Sequence, residues 1–120
     1  MKSYLIEGGK KLSGTVKISG SKNASLPILA ASILCGDSTK LYNVPKIDDV
    51  DNTIKILQLL GCKVKRKNDR VEIASKNMNK TEIPRELMSK MRSSVILAGA
   101  ILGRFKTVKF SYPGGYDCAC

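Results

Sequence analysis

Two short segments and one loop hold the residues whose types and spacing could do chemistry. Gly20-Ser21-Lys22-Asn23 stands where an alternating strand pattern gives way to an apolar helical run. The first turn of a helix carries backbone N–H groups without intrahelical partners and the positive end of the macrodipole, so such a corner attracts anions. Lys22 adds a point charge, and the Asn23 amide can both donate and accept. A phosphate or carboxylate suits that set. The plain alternative is a strand-to-helix turn with a cap residue and a solvated lysine, and no P-loop signature is present. Arg92, in Lys90-Met91-Arg92-Ser93-Ser94, precedes a second apolar helical stretch. A cation there opposes the dipole, a cost that a ligand anion or a carboxylate would offset; otherwise its stem lies over Met91. Tyr112-Pro113-Gly114-Gly115-Tyr116-Asp117 follows a strand pattern, and its Pro-Gly-Gly suits either a loop that closes over a ligand or a simple turn.

Other chemistry is narrowed by absence. The chain has no histidine, which removes histidine bases and histidine metal ligands. Cys35 and Cys62 end apolar segments and read as small core residues. Cys118-Ala119-Cys120 brings two thiols together, but a zinc site needs about four ligands, so no metal is expected. The N-terminal residues do not have the form of a secretory signal, which favours reduced thiols and a cytoplasmic location. No apolar run reaches the ~18 residues of a membrane span, and no membrane is expected among the partners.

The elements that must position these residues follow from periodicity. Residues 4–9 read as a short strand into a Gly turn, and 14–20 as an alternating strand between glycines. A helix starts between Asn23 and Leu26, because Pro27 belongs in a first turn, and stops at Gly36. It is apolar almost all round, as in a helix buried on most sides. Residues 39–44 form a strand ended by Pro45. Asp48 or Asp49 caps a helix whose Val50, Ile54, Leu57 and Leu60 fall at helical spacing, with Gly61 at C′. Residues 62–66 and 70–74 pair as a hairpin around 67–69. The order is strand, helix, strand, helix, strand, strand. A polar stretch, 75–82, precedes a second unit: a helical region from Pro84 that breaks near Ser89, a helix from Met91 through Leu102 closed by Gly103, and a strand at 107–110. One helix and one strand make an incomplete repeat, which leaves an apolar face open to self-association.

Charge selects partners without choosing among them. With 21 Lys and Arg against 10 Asp and Glu, the 120 residues carry +11. That favours acidic partners such as nucleic acid, an anionic membrane or phosphorylated small molecules. The densest stretch, Lys63 to Arg70, alternates with Val64 and Val71 as the solvated face of a strand pair. A small nucleic-acid-binding module is the rival reading, but only 5% of the residues are aromatic and no binding motif is present. Apolar content of 42% excludes a disordered chain, and the length suits one domain.

Several segments together resemble one family. Gly20-Ser21-Lys22-Asn23-Ala24-Ser25-Leu26-Pro27-Ile28-Leu29-Ala30-Ala31 is similar to the opening of the enolpyruvyl transferases of peptidoglycan synthesis, the UDP-N-acetylglucosamine 1-carboxyvinyltransferases. Asn43-Val44-Pro45-Lys46-Ile47-Asp48-Asp49-Val50, Leu60-Gly61, Lys90-Met91-Arg92-Ser93-Ser94 and Pro113-Gly114-Gly115 match in the same order. The resemblance implies an α/β (α+β) fold of repeated βαβαββ units in an inside-out α/β barrel. Its first unit spans residues 14–74, its incomplete second unit 75–115, and 116–120 form a divergent tail. Residues 1–20 hold strands that in the family join the other domain. The implied reaction moves the enolpyruvyl group of phosphoenolpyruvate to the 3′-hydroxyl of UDP-N-acetylglucosamine. Carbon 3 is protonated, the sugar oxygen adds at carbon 2 and phosphate leaves, with no metal or organic cofactor.

Residue by residue, Lys22 and Asn23 resemble the family's contacts to phosphoenolpyruvate and the sugar nucleotide, and Arg92 resembles an arginine that binds a substrate anion. After Pro-Gly-Gly the family carries Cys, or Asp in some members, as general acid; here that position is Tyr116. A phenol, with a pKa near ~10, is a poorer acid at neutral pH. Without the second wall of the cleft, this chain alone is expected to turn over substrate weakly or not at all.

Overall fold

A computed structural model describes residues 2–90 and 94–111. The first helix, α1 (Lys22–Cys35), is started by Ser21, whose side-chain oxygen accepts the Ala24 N–H at 3.2 Å. It starts one residue before the expected window, which leaves Pro27 sixth in the helix rather than in its first turn. The missing Pro27 N–H removes the bond that the Asn23 carbonyl would otherwise accept. Gly36, at φ 68, ends the helix. Leu29 and Ile33 are fully buried, yet Ile28 and Leu34 are 48% and 55% exposed, so α1 is covered on one side rather than all round. Cys35 lies on the open side and is exposed, against expectation, whereas Cys62 is buried as expected.

Strand β1 (Ser38–Leu41) is shorter than its pattern, because Asn43 at φ 59 turns the backbone before Val44. Helix α2 (Asp48–Leu59) starts after Ile47, with no side-chain cap. Neither expected aspartate caps it. Asp48, Asp49 and Asp51 instead occupy its first turn, where they complement the dipole. Val50 and Leu57 carry its buried face, and Gly61 at φ 107 follows its end. Strands β2 (Lys63–Lys67) and β3 (Arg70–Ala74) form the expected hairpin, with Asn68 and Asp69 between them.

The sheet order is β1-β3-β2, with β3 antiparallel to both neighbours. β1 and β2 therefore run parallel, joined through α2, with β3 inserted between them: a split βαβ arrangement. Leu41, Val64, Val71 and Ile73 face the helices. One apolar cluster runs from α1 and α2 through Val71 and Ile73 to Met88, Leu97 and Ile101.

The second unit holds α3 (Arg85–Met88) and α4 (Val95–Phe105). The break at Ser89 is as expected, but Gly103 does not close the last helix, which runs on to Lys106 at φ 63. Gly103 instead lets Leu34 of α1 pack where a side chain would stand, its Cδ2 only 3.1 Å from that point. The strand expected at 107–110 reduces to a single parallel bridge between Glu82 and Lys109. The two strands expected at 4–9 and 14–20 do not form. Alternation makes a strand only against a sheet that buries one face, and Tyr4, Leu5, Val16 and Ile18 are all more than four-fifths exposed.

Candidate functional site

The strand-to-helix corner forms one wall of an open cleft of about 600 Å³. Three backbone segments converge there: residues 17–20 leading into α1, the loop Asn43–Ile47 between β1 and α2, and the hairpin turn at Asn68 and Asp69. Their junctions are tight. A Cβ on Gly20 would stand 1.7 Å from the Asn43 carbonyl oxygen, so only glycine lets the chains pass. The Val44 N–H donates to the Asp69 carbonyl at 2.9 Å, tying loop to hairpin. Arg66 braces the same loop: one guanidinium nitrogen meets Asp51 at 2.9 Å and the other donates to the Pro45 carbonyl at 3.0 Å.

Lys22 and Asn23 occupy the first two positions of α1. Both are exposed, and no acidic residue lies in that first turn. The corner therefore presents a helix N-terminus and a cation to solvent. Lys17 and Lys46 join Lys22 along the cleft, with the amides of Asn43 and Asn68 nearby. Three cations and two amides around a dipole end, against one acidic lining residue, Asp69, favour an oxyanion ligand. Lys22 is not idle, however: its Nζ lies 2.6 Å from the Asp49 carboxylate at the start of α2. That contact opposes a cation and a carboxylate at two helix N-termini, and it holds the lysine at the mouth of the cleft. The Asp49 carbonyl, in turn, accepts the Thr53 hydroxyl at 2.8 Å within α2.

Of the four residues singled out from sequence, the structure brings Lys22 and Asn23 together on α1. Arg92 and Tyr116 lie outside the described residues. Sequence reading missed two contributors. Asp49 was read only as a cap, and no spacing rule links residue 49 to residue 22. Arg66 was grouped with the solvated lysines around it; its inward register on β2, between Lys65 and Lys67, was the signal available.

The family model for EPSP synthase (3-phosphoshikimate 1-carboxyvinyltransferase) matches residues 6–118. The chain belongs to the EPSP synthase family. Within it, a UDP-N-acetylglucosamine 1-carboxyvinyltransferase of Chlorobaculum parvum is 45% identical over 96% of this chain. Another such enzyme, from Caldanaerobacter subterraneus subsp. tengcongensis, is 43% identical over 98%, and one from Yersinia pestis is 42% identical over 96%. The chain spans 27%, 28% and 27% of those three relatives. The enolpyruvyl transferase NikO of Streptomyces tendae superposes on 81% of this chain with a TM-score of 0.72 at 23% identity, over 23% of its own length. That likeness establishes an enolpyruvyl-transferase fold for the described α/β unit.

Proposed function

We propose that this chain supplies the first wall of a UDP-N-acetylglucosamine 1-carboxyvinyltransferase in the cytoplasm, where phosphoenolpyruvate and UDP-N-acetylglucosamine are the substrates of a transfer that serves peptidoglycan synthesis. The observation that carries the reading is the cationic corner of α1, in a chain 45% identical to an enzyme of that name over 96% of its length. Both substrates are polyanions. Lys22, Lys17 and Lys46 line the cleft and supply counter-charge, and the open first turn of α1 supplies N–H donors; Asn23, exposed beside the cleft rather than lining it, supplies an amide for sugar or phosphate oxygens. Arg92 adds a further anion-binding group, and Tyr116 holds the general-acid position of the loop.

The finer architecture is an inside-out barrel of βαβαββ units. It is supported by the apolar side chains left open on two neighbouring helices, Ile28 and Leu34 on α1 and Val95, Ile96 and Leu102 on α4. Residues 1–20 belong with another domain in this reading, which fits the exposure of every residue from 2 to 19. A second copy is the alternative cover for the apolar face, and the mass measured by size-exclusion chromatography with light scattering separates dimer from monomer.

Substrate observation by saturation-transfer NMR tests the assignment. UDP-N-acetylglucosamine and phosphoenolpyruvate are expected to receive saturation from this chain, and Lys22→Glu is expected to abolish it. Equal transfer to the variant would sink the assignment of the corner. Phosphate release with both substrates present is expected to stay at background, and turnover like that of a complete enzyme would overturn the single-wall reading.

A further inference from the structure

The face of the sheet that points away from the helices carries a second feature, separate from the cleft. Cross-strand pairing fixes its membership. Lys63, Lys65 and Lys67 of β2 stand opposite Ala74, Glu72 and Arg70 of β3, and Lys40 of β1 stands opposite Glu72 from the other side. Directly opposed residues share a face, so five cations and one carboxylate lie on one open surface. Lys40, Lys63, Lys65, Lys67 and Arg70 are all exposed.

Glu72 has a lysine on each side, and at the hairpin end Asp69 of the turn is the one acidic residue beside Lys67 and Arg70. There Lys67 and Arg70 face each other directly, a like-charge pair that costs stability in isolation. The Arg70 guanidinium lies 5.2 Å from the centre of the Tyr42 ring, and Tyr42 is 64% exposed. A shallow depression of about 310 Å³ runs between Lys40, Tyr42, Lys65 and Lys67.

We propose that this basic sheet face docks the chain, peripherally and reversibly, on an anionic lipid bilayer. The arrangement favours a surface over a polymer. The cations form a grid: neighbouring strands lie about 4.8 Å apart, and alternate residues repeat about every 6.8 Å along β2. A two-dimensional array of headgroup phosphates meets such a grid at many points. A single strand of nucleic acid needs a groove and successive aromatic platforms, whereas among the described residues this face has one aromatic residue, Tyr42. A duplex is read by an element that enters its groove, and this face is the broad side of a three-stranded sheet. Tyr42, apolar in body and polar at its tip, suits the headgroup level. Basic clusters of this size are drawn to anionic leaflets within a Debye length. Among the described residues no helix is long and apolar enough to cross a membrane, which keeps the contact at the surface.

Vesicle co-sedimentation tests the docking with the chain as it stands. Phosphatidylcholine vesicles containing about a third phosphatidylglycerol are expected to carry the chain down at low salt, and pure phosphatidylcholine vesicles are not. Binding is expected to fade as the Debye length shrinks from about 10 Å toward about 3 Å with added salt. The combined variant Lys63→Glu, Lys65→Glu, Lys67→Glu is expected to bind at least about tenfold more weakly. The corresponding glutamine variant, which avoids new repulsion, should fall between it and the parent. A control with the same change in net charge, Lys2→Glu, Lys10→Glu, Lys11→Glu, is expected to lose clearly less. Equal loss in that control, no binding to anionic vesicles by the parent, or tighter binding to a single-stranded oligonucleotide at matched salt would each overturn the proposal. Far-ultraviolet circular dichroism on both lysine variants guards against loss of fold, and the glutamine variant decides the matter if the glutamate one unfolds.

Discussion

The N-termini of α1 and α2 meet at the cleft and are built in opposite ways. α1 has a side-chain cap, Ser21, and a lysine in its first position, with no acid in its first turn. α2 has no side-chain cap but three aspartates in its first turn. The dipole of α2 is thus answered by its own sequence, whereas that of α1 is left for another group to answer. Asp49 of α2 reaches across to Lys22 and offsets the charge that α1 cannot tolerate well by itself. An anion arriving at α1 meets backbone donors and a cation already held in place. The same anion at α2 would meet three carboxylates. The asymmetry between two similar strand-to-helix junctions is what singles out one of them as the proposed binding corner.

Substitutions test that asymmetry. The largest effect is expected at Gly20, where alanine would drive a methyl group into the Asn43 carbonyl; denaturant titration should show a loss of about 2 kcal/mol or more, or the corner should open and lose ligand binding with little loss of stability. Wild-type stability together with wild-type binding would show the close approach to be wrong. Ser21→Ala is expected to cost about 1 kcal/mol through loss of the cap, and Asp48→Asn at the uncapped helix about 0.5 kcal/mol through the dipole. A larger loss at Asp48 than at Ser21 would reverse the proposed division of labour. Lys22→Gln is expected to change stability by less than about 0.5 kcal/mol, since its ion pair is half exposed and solvent-screened, while removing the response to ligand.

The opposite ends of the same helices differ as well. α1 finishes at exposed Cys35, and buried Cys62 follows α2. Burial pushes the Cys62 thiol above 9.0, and the nearby Arg104 pulls it back in part. Iodoacetamide at neutral pH is therefore expected to label Cys35 ahead of Cys62, read by peptide mass mapping. A raised native pKa means that the unfolded chain ionises first. Cys62 should thus leave stability unchanged at neutral pH and lower it as pH climbs past 9.0; a rise in stability over that range would contradict its burial.

Much of this unit was legible because its signals were local. Gly36 and Gly61 mark helix ends through backbone freedom, and Val64 and Val71 alternate with charge as strands do. The failures have a shared cause. The alternation at 14–20 satisfies strand chemistry, but a strand exists only when another edge receives it, and no local rule supplies the edge. Gly103 has the composition of a stop signal, yet the packing of Leu34 against it overrides that signal. The anion-binding role proposed for Lys22 and Asn23 rests on one helix start, which is local in sequence. The pairing of Lys22 with Asp49 is not local, because it depends on how α1 and α2 cross.

The insertion of β3 between β1 and β2 has a consequence for how the unit is made. Among the described residues β1 finds its only sheet neighbour in β3, with Ser38 opposite Ala74. During synthesis, the first strand to leave the ribosome must therefore wait, edge bare, until the third has emerged. The hairpin closes quickly because its contacts are local, and β1 then zips onto a finished template. The loop that follows β1 and forms one side of the cleft is tied to the hairpin turn through the Val44 N–H and the Asp69 carbonyl, so that side cannot be completed before the hairpin exists.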